Sequence, residues 1–261
     1  MYKKRPIGVF DSGIGGLTVL KDLIDILPNE DFIYIADTAY CPYGTKSKTE
    51  ITQRVEQIVD YLINMKVKAI IIACNTATAN AKEIIEKANI PIIGVIDPTA
   101  KEAVYATKNG NIAVLATNLT IKLGIYQQLL STENTRVYAL GCSNFVPLAE
   151  SNNRDSEETN KEIQETLFQF HDKNIDTVVY GCTHFGLLNE SIKRSFPNAK
   201  IISCGVPTAL LLKENMEKFK IVNDNCNKGK INICTTGNLK SFKGQISWFI
   251  YPYDTIKQVN I

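Results

Sequence analysis

The stretch KAIIIACNTATANA, residues 68–81, joins a buried strand to a cysteine placed where the strand ends. Its apolar run, residues 69–73, has the length and composition of a strand that is covered on both faces. Cys74 follows in a polar turn, and a helix is predicted at residues 77–88. Because the carboxyl ends of parallel strands are where α/β sheets bind ligands, we expect the Cys74 thiol to lie in a ligand site.

The same arrangement returns in DTVVYGCTHFGLLNE, residues 176–190. There a predicted strand at residues 177–180 delivers Cys182 into a Thr-His sequence. We therefore hypothesise that the Cys74 and Cys182 thiols face one substrate, each presented by one half of a duplicated fold.

Alternating strands and helices extend this repeat along the chain, because equivalent strands keep nearly the same spacing in both halves. The pattern predicts two similar parallel-sheet α/β domains related by pseudo-two-fold symmetry, with the active site in the cleft between them. Residues 1–98 are expected to form the first domain, joined by a returning segment at 207–261, and residues 99–206 the second. Predicted strands cover residues 7–10, 32–36, 69–73, 91–96, 111–116, 136–140, 177–180, 200–203 and 230–234. Predicted helices cover residues 17–27, 47–65, 77–88, 99–107, 120–130, 157–173, 208–218 and 239–244.

The composition excludes several classes of protein. The 261 residues carry 29 basic and 27 acidic side chains, a net charge of +2. This is not the excess of positive charge that binding to nucleic acid or to a membrane surface requires. No apolar run approaches the ~20 residues of a membrane-spanning helix, and no signal peptide is evident, so a cytoplasmic protein is expected. Seven cysteines without a CxxC pair indicate free thiols and argue against a structural zinc site. Apart from Cys74 and Cys182, they are interpreted as buried core thiols.

A polar, Gly-rich turn, DSGIGG at residues 11–16, follows the first predicted strand. It fits neither the dinucleotide-binding nor the Walker pattern of glycines. A site for a small zwitterion is the better interpretation, because the Asp11 carboxylate can meet an ammonium group while main-chain N–H groups meet a carboxylate.

Two thiols at strand ends suggest a specific chemistry. The helix predicted after each cysteine is expected to lower the thiol pKa from about 8.5 toward neutrality. Such a thiol serves as a general base or a general acid. Two of them facing one carbon can remove a proton from one side and deliver one to the other, which inverts a stereocentre. Asp11 is the expected support of Cys74, and His184 that of Cys182.

Four motifs resemble the glutamate racemase family: FDSGIGGL at 10–17, PYG at 42–44, ACNTA at 73–77 and GCTH at 181–184. The resemblance extends from about residue 7 to at least residue 212. It implies a cofactor-independent racemase that interconverts L- and D-glutamate and supplies D-glutamate for peptidoglycan synthesis. It also implies two α/β domains with the active site between them, and a homodimer.

The resemblance implies roles for individual residues. Cys74 and Cys182 correspond to the proton-transfer residues, supported by Asp11, Glu150 and His184. The implied substrate contacts are Asp11, Ser12, Tyr43, Gly44, Asn75, Thr76, Thr117, Thr183 and His184. Four sites depart from the family pattern: Gly186 and Ser143, where a proline is common, Leu123, where a serine is usual, and Ser203-Cys204, where Asp-Ser is usual.

Two other functions fit parts of the pattern. A cysteine hydrolase would use Cys182 as nucleophile and His184 as base, but it has no need of a second thiol. A non-catalytic binding module could grip an amino acid between two α/β lobes, but the paired cysteines argue against it.

Overall fold

Ten strands form two sheets in the computed structural model, which describes residues 2–261, and every neighbouring pair of strands is parallel. The first sheet has six strands and the second has four. We call the α/β layers built on these sheets the first and the second domain. The predicted fold class, two similar parallel-sheet α/β domains, is confirmed.

The first half of the chain supplies four strands and four helices to the first domain. Their bounds are β1 Ile7–Asp11, α1 Leu17–Ile26, β2 Phe32–Ala36, α2 Lys48–Asn64, β3 Ala69–Ile72, α3 Asn75–Ala79, α4 Lys82–Lys87 and β4 Ile92–Gly94. The central strands are buried along their whole length, because helices cover both faces of the sheet. A capping box begins α2, in which the Ser47 side chain and the Glu50 main-chain N–H are paired.

The second domain repeats this plan. Its elements are α5 Ile96–Ala106, β5 Asn111–Ala116, α6 Asn118–Leu123, α7 Ile125–Leu130, β6 Arg136–Gly141, α8 Phe145–Glu150, α9 Glu157–Leu167, β7 Thr177–Gly181, α10 Asn189–Ser195 and β8 Lys200–Ile202. The order β6-β5-β7-β8 reproduces the order β2-β1-β3-β4 of the first sheet. Strand order therefore reverses between β1 and β3 and between β5 and β7, and at such a switch point an α/β sheet binds its ligand.

The last part of the chain returns to the first sheet. It comprises α11 Gly205–Lys218, β9 Ile231–Thr235, α12 Leu239–Gln245 and β10 Thr255–Gln258. β9 pairs with β2, and β10 extends the sheet beyond β9. This pairing supports the proposed division into residues 1–98 with 207–261 and residues 99–206, whose bounds stay a prediction.

Two predicted helices are each divided in two, and two further elements were not predicted. The helix expected at 77–88 divides into α3 and α4, because the Asn80 side chain bonds back to the Thr76 carbonyl at 2.8 Å. The helix expected at 120–130 breaks at Gly124, which has a left-handed φ of 72°. The short helix α8 and the strand β10 were not predicted. Cys226 is exposed, so its assignment to the core is wrong.

No helix within residues 2–261 combines the length and the apolar character that crossing a bilayer requires.

A buried ion pair joins the start of the first sheet to the returning segment. Lys68 pairs with Glu30, and their side chains are 0% and 2% exposed. The Lys68 ammonium also donates to the carbonyls of Lys3 and Ile221, at 2.5 and 3.0 Å. Glu30 accepts from the main-chain N–H of Asn223 at 2.7 Å. The pair therefore ties the strand that leads to Cys74 to the segment after α11.

Replacing Lys68 with methionine should lower the free energy of unfolding by about 3–5 kcal/mol, because Glu30 then keeps a buried charge without its partner. Urea unfolding followed by circular dichroism measures this loss. The matched control is Lys87→Met, which removes the exposed pair between Lys87 and Glu83 and should leave the midpoint unchanged. Equal midpoints for the two variants would contradict the structural importance of the buried pair.

Candidate active site

One small cavity between the two domains is lined by both strand-end cysteines. Cys74 follows β3 in the first domain and Cys182 follows β7 in the second. The cavity is also lined by eight of the other residues predicted for the site: Ser12, Tyr43, Gly44, Asn75, Thr76, Thr117, Thr183 and His184. Asp11 lies behind this lining, and Glu150 faces a neighbouring cleft. Sequence reasoning missed the wall residues Pro42, Val146 and Gly181. It assigned Cys41 to the buried core, whereas Cys41 is only partly buried and lines this cavity.

The cavity has a volume of about 40 Å³, which is room for roughly three waters at about 10–15 Å³ each. It adjoins a cleft of about 540 Å³, with which it shares Cys41, Pro42, Gly44, Thr117 and Val146. A five-carbon amino acid is larger than the inner cavity. Such a ligand can therefore enter from the cleft only when the loop that carries Tyr43 moves outward or when the two domains move apart.

The Cys74 thiol is buried at the N-terminus of α3. It accepts a hydrogen bond from the Ala77 main-chain N–H at 3.4 Å and lies 3.7 Å from the Ser12 hydroxyl. Burial and then the Asp11 charge raise the pKa of this thiol well above its usual value, and the contacts to Ala77 and Ser12 only partly offset them. The expectation that the helix N-terminus lowers the pKa of Cys74 is wrong, because one N–H does not outweigh the loss of solvent.

Cys182 has a different neighbour. Its thiol lies 3.9 Å from His184 Nδ1, and His184 Nε2 lies 3.0 Å from the Glu150 carboxylate. Burial lowers the pKa of His184, but its hydrogen bonds to Cys182 and Glu150, together with the charges of Cys182 and Asp11, raise it to about 10. The imidazole is therefore protonated at neutral pH and places a positive charge beside the Cys182 thiol.

Asp11 organises the Gly-rich turn and reaches the second domain. Its Oδ2 accepts from the main-chain N–H groups of Gly13 and Gly16 at 3.1 and 3.0 Å, and its Oδ1 accepts from the Thr183 hydroxyl at 3.4 Å. Burial raises the pKa of Asp11, although the His184 charge and these hydrogen bonds oppose it. Asp11 thus acts on Cys74 through its charge, while its hydrogen bonds hold the turn against Thr183.

A glycine allows the two domains to approach at this point. A Cβ atom on Gly15 would stand 2.5 Å from Thr183 Oγ1 and 2.6 Å from His184 Nδ1. Any larger residue would displace the segment that follows Cys182. The Gly-rich turn is therefore needed for close contact between domains as well as for its main-chain N–H groups.

The loop that carries Tyr43 is anchored by a network that sequence reasoning did not find. The Tyr43 hydroxyl donates to Asp37 at 2.6 Å. Arg54 binds the same carboxylate through two hydrogen bonds of 2.8 and 2.6 Å, and Thr236 donates to it at 2.8 Å. Because Asp37 and Arg54 are almost fully buried, this network fixes the wall of the cavity to α2 and to the returning segment.

Three threonine hydroxyls form a hydrogen-bonded cluster between the two domains, beside the thiols. Thr76 lies 3.2 Å from both Thr117 and Thr120, which are themselves 2.9 Å apart. Thr117 and Thr120 belong to the start of α6, so this cluster joins the helix after Cys74 to the second domain. Each hydroxyl can donate or accept, which suits a polar ligand group.

Replacing Glu150 with glutamine should lower the pKa of His184 from about 10 by roughly one pH unit or more, because the carboxylate that favours the imidazolium is lost. The imidazole resonances give this value directly in an NMR titration, since the chain has only two histidines. Glu162→Gln is the control, because the hydrogen bond described for the Glu162 carboxylate is to the exposed Asn144 amide, away from His184. An unchanged His184 titration in Glu150→Gln would show that the 3.0 Å contact does not hold the imidazolium.

Solved structures of other proteins share this fold. A glutamate racemase isoform from Bacillus anthracis matches with a TM-score of 0.94 at 34% identity, over 99% of this chain and 98% of that chain. The glutamate racemase from Francisella tularensis subsp. tularensis SCHU S4, solved in complex with D-glutamate, matches with a TM-score of 0.91 at 35% identity, over 99% and 98% of the two chains. These matches cover the whole architecture, including the returning segment.

Sequence comparison gives the same result. The glutamate racemase of Bacillus cereus is 38% identical over 264 residues, which cover 99% of this chain and 98% of that protein. The model of the Asp/Glu/Hydantoin racemase family matches residues 7–209. Both findings confirm the resemblance drawn from the four motifs. The chain is an amino-acid racemase and belongs to the Asp/Glu/Hydantoin racemase family.

Proposed function

We propose that the chain is a glutamate racemase, which interconverts L- and D-glutamate by proton transfer between Cys74, Cys182 and the substrate Cα, without a cofactor. The biological role in this proposal is the supply of D-glutamate for peptidoglycan synthesis. The solved relative in complex with D-glutamate supports glutamate as the substrate.

The observation that carries the proposal is the pair of thiols on one cavity. Each thiol follows the third strand of its domain's repeat, and each lies beside the switch point of its sheet. A substrate held there has one thiol from each domain within reach. Two general acid–base groups of the same chemical type are what an inversion needs, because each must act as base in one direction and as acid in the other.

The substrate ammonium has a specific task in this mechanism. Burial and the Asp11 carboxylate both oppose ionisation of Cys74. An amino acid whose ammonium group pairs with Asp11 brings a positive charge to the thiol and neutralises the carboxylate. Ionisation of Cys74 thus becomes favourable when substrate is bound, and the thiol stays protonated otherwise. This coupling restricts the strong base to the complex with substrate.

Cys182 is supported by the protein itself. The His184 imidazolium, held by Glu150, favours the thiolate of Cys182, which is the form that takes the Cα proton. When Cys182 acts as the acid, the same imidazolium remains beside the new thiolate. We propose the hydroxyls of Thr76, Thr117 and Thr183 and the Tyr43-Gly44 segment as the contacts for the two substrate carboxylates.

A homodimer and a cytoplasmic location complete the proposal. The homodimer rests on the resemblance to the glutamate racemase family, and the cytoplasmic location remains the expectation drawn from the sequence. Size-exclusion chromatography with light scattering tests the first. A monomer at micromolar concentration would exclude a stable dimer.

The first test is exchange at Cα. Incubation with L-glutamate in D₂O should yield D-glutamate that carries deuterium at Cα, with decay of the optical rotation to zero. The reason is that the proton delivered by the second thiol comes from solvent. Binding without exchange would favour the binding module, and comparable turnover of aspartate would overturn the assignment of glutamate.

The second test separates the two thiols. Cys74→Ser and Cys182→Ser should each reduce racemisation by at least about 100-fold, because a hydroxyl is a much weaker acid than a thiol. The remaining thiol of each variant should still exchange the Cα proton of one enantiomer, and the two variants should select opposite enantiomers in D₂O. Full racemisation by Cys74→Ser would contradict the two-base mechanism. Cys226→Ser is the control, since this exposed thiol lies outside the cavity.

A further inference from the structure

Asn75, which directly follows Cys74, turns its side chain toward the second domain. Its Oδ1 accepts a hydrogen bond from the Tyr126 hydroxyl at 2.7 Å, and its Nδ2 donates to the Cys204 thiol at 3.4 Å. Tyr126 lies in α7, and Cys204 directly precedes α11. The exposed fractions of Asn75, Tyr126 and Cys204 are 3%, 0% and 4%. Both ends of the buried amide are thus bound by residues that come after the first repeat.

The Cys204 thiol continues these hydrogen bonds toward the second catalytic strand. It donates to the main-chain carbonyl of Tyr180 at 3.1 Å. Tyr180 lies in β7, two positions before Cys182. A continuous series of hydrogen bonds therefore starts one residue after Cys74 and ends two residues before Cys182.

The chemistry at Cys204 fits this connection. A thiol can accept from an amide while it donates to a carbonyl, and a hydroxyl can do the same. Cys204 uses both capacities, because it accepts from Asn75 and donates to Tyr180. A buried polar network in which every member is satisfied is rigid, because any displacement leaves a group unpaired at low dielectric.

We infer that Asn75, Tyr126 and Cys204 form a strut that fixes the distance between the Cys74 and Cys182 thiols. The inference rests on the proposed two-thiol racemisation. It makes Tyr126 and Cys204 positioning residues, which do not touch the substrate. It also gives Asn75 a role beyond its proposed contact with substrate.

The strut matters because both thiols must reach the same Cα. One thiolate takes the Cα proton, and the electron pair left on carbon takes a proton from the opposite thiol. A misplacement of about 1 Å at a reacting group costs on the order of 100-fold in rate. If the opposite thiol is displaced, the first thiol returns its proton to the same face. After exchange with D₂O, that return labels the starting enantiomer without inverting it.

The test measures the ratio of deuterium in the recovered starting enantiomer to deuterium in the inverted product, early in turnover in D₂O. Tyr126→Phe removes one hydroxyl from the strut and should raise this ratio at least about fivefold, with KM changed less than about twofold. Loss of stability alone lowers the amount of active enzyme and leaves the ratio unchanged. Tyr251→Phe is the matched control, since it removes a tyrosine hydroxyl that bonds to Asp25 within the first domain.

Two variants of Cys204 test the strut independently, even where Tyr126→Phe does not fold. Cys204→Ala removes the link between Asn75 and Tyr180 and should raise the ratio, whereas Cys204→Ser keeps the hydrogen bonds and should leave it within about twofold of the wild-type value. An unchanged ratio in Cys204→Ala overturns the strut. It leaves the proposed function standing, because racemisation by the wild-type protein is measured separately.

Discussion

The contact between the Gly-rich turn of the first domain and the Thr183–His184 segment of the second is the interaction on which the site depends. The buried Asp11 carboxylate bonds to two main-chain N–H groups of its own turn and to the Thr183 hydroxyl. Gly15 permits this approach, because a side chain there would collide with His184. The contact holds the turn after β1 against the segment that directly follows Cys182, and so helps to keep the two strand ends at one cavity.

The two thiols are both buried, but their charged neighbours have opposite signs. His184 is the one basic side chain among the described residues that line the cavity, and it lies beside Cys182. Cys74 has the Asp11 carboxylate as its charged neighbour, so burial and charge both hold it in the protonated form. In the proposed function, the ammonium group of a zwitterionic substrate supplies the positive charge that Cys74 lacks. The positive charge beside Cys182 comes instead from His184, which Glu150 holds in place.

Much of the fold could be predicted from sequence, because strand length, apolar content and repeat spacing are local signals. The same signals identified both thiols and Asp11. What sequence reasoning missed depends on contacts between distant residues: the anchoring of Tyr43 by Asp37 and Arg54, and the partners of Asn75 in α7 and before α11. A local pattern places Asn75 next to a reactive cysteine, but only the packing of the second domain shows where its amide points.

The two thiols are equivalent in topology and unequal in surroundings, and the symmetry of the reaction limits what that inequality can do. Enantiomers have equal free energies in water, so kcat/KM must be the same in both directions. The imidazolium beside Cys182 therefore cannot favour one product. It can change kcat/KM only by the same factor in both directions, so any difference between the directions consists of kcat and KM changing together. In the proposed mechanism, the duplicated fold thus provides two acid–base groups, and the divergence of its halves affects the two proton transfers and leaves the equilibrium unchanged.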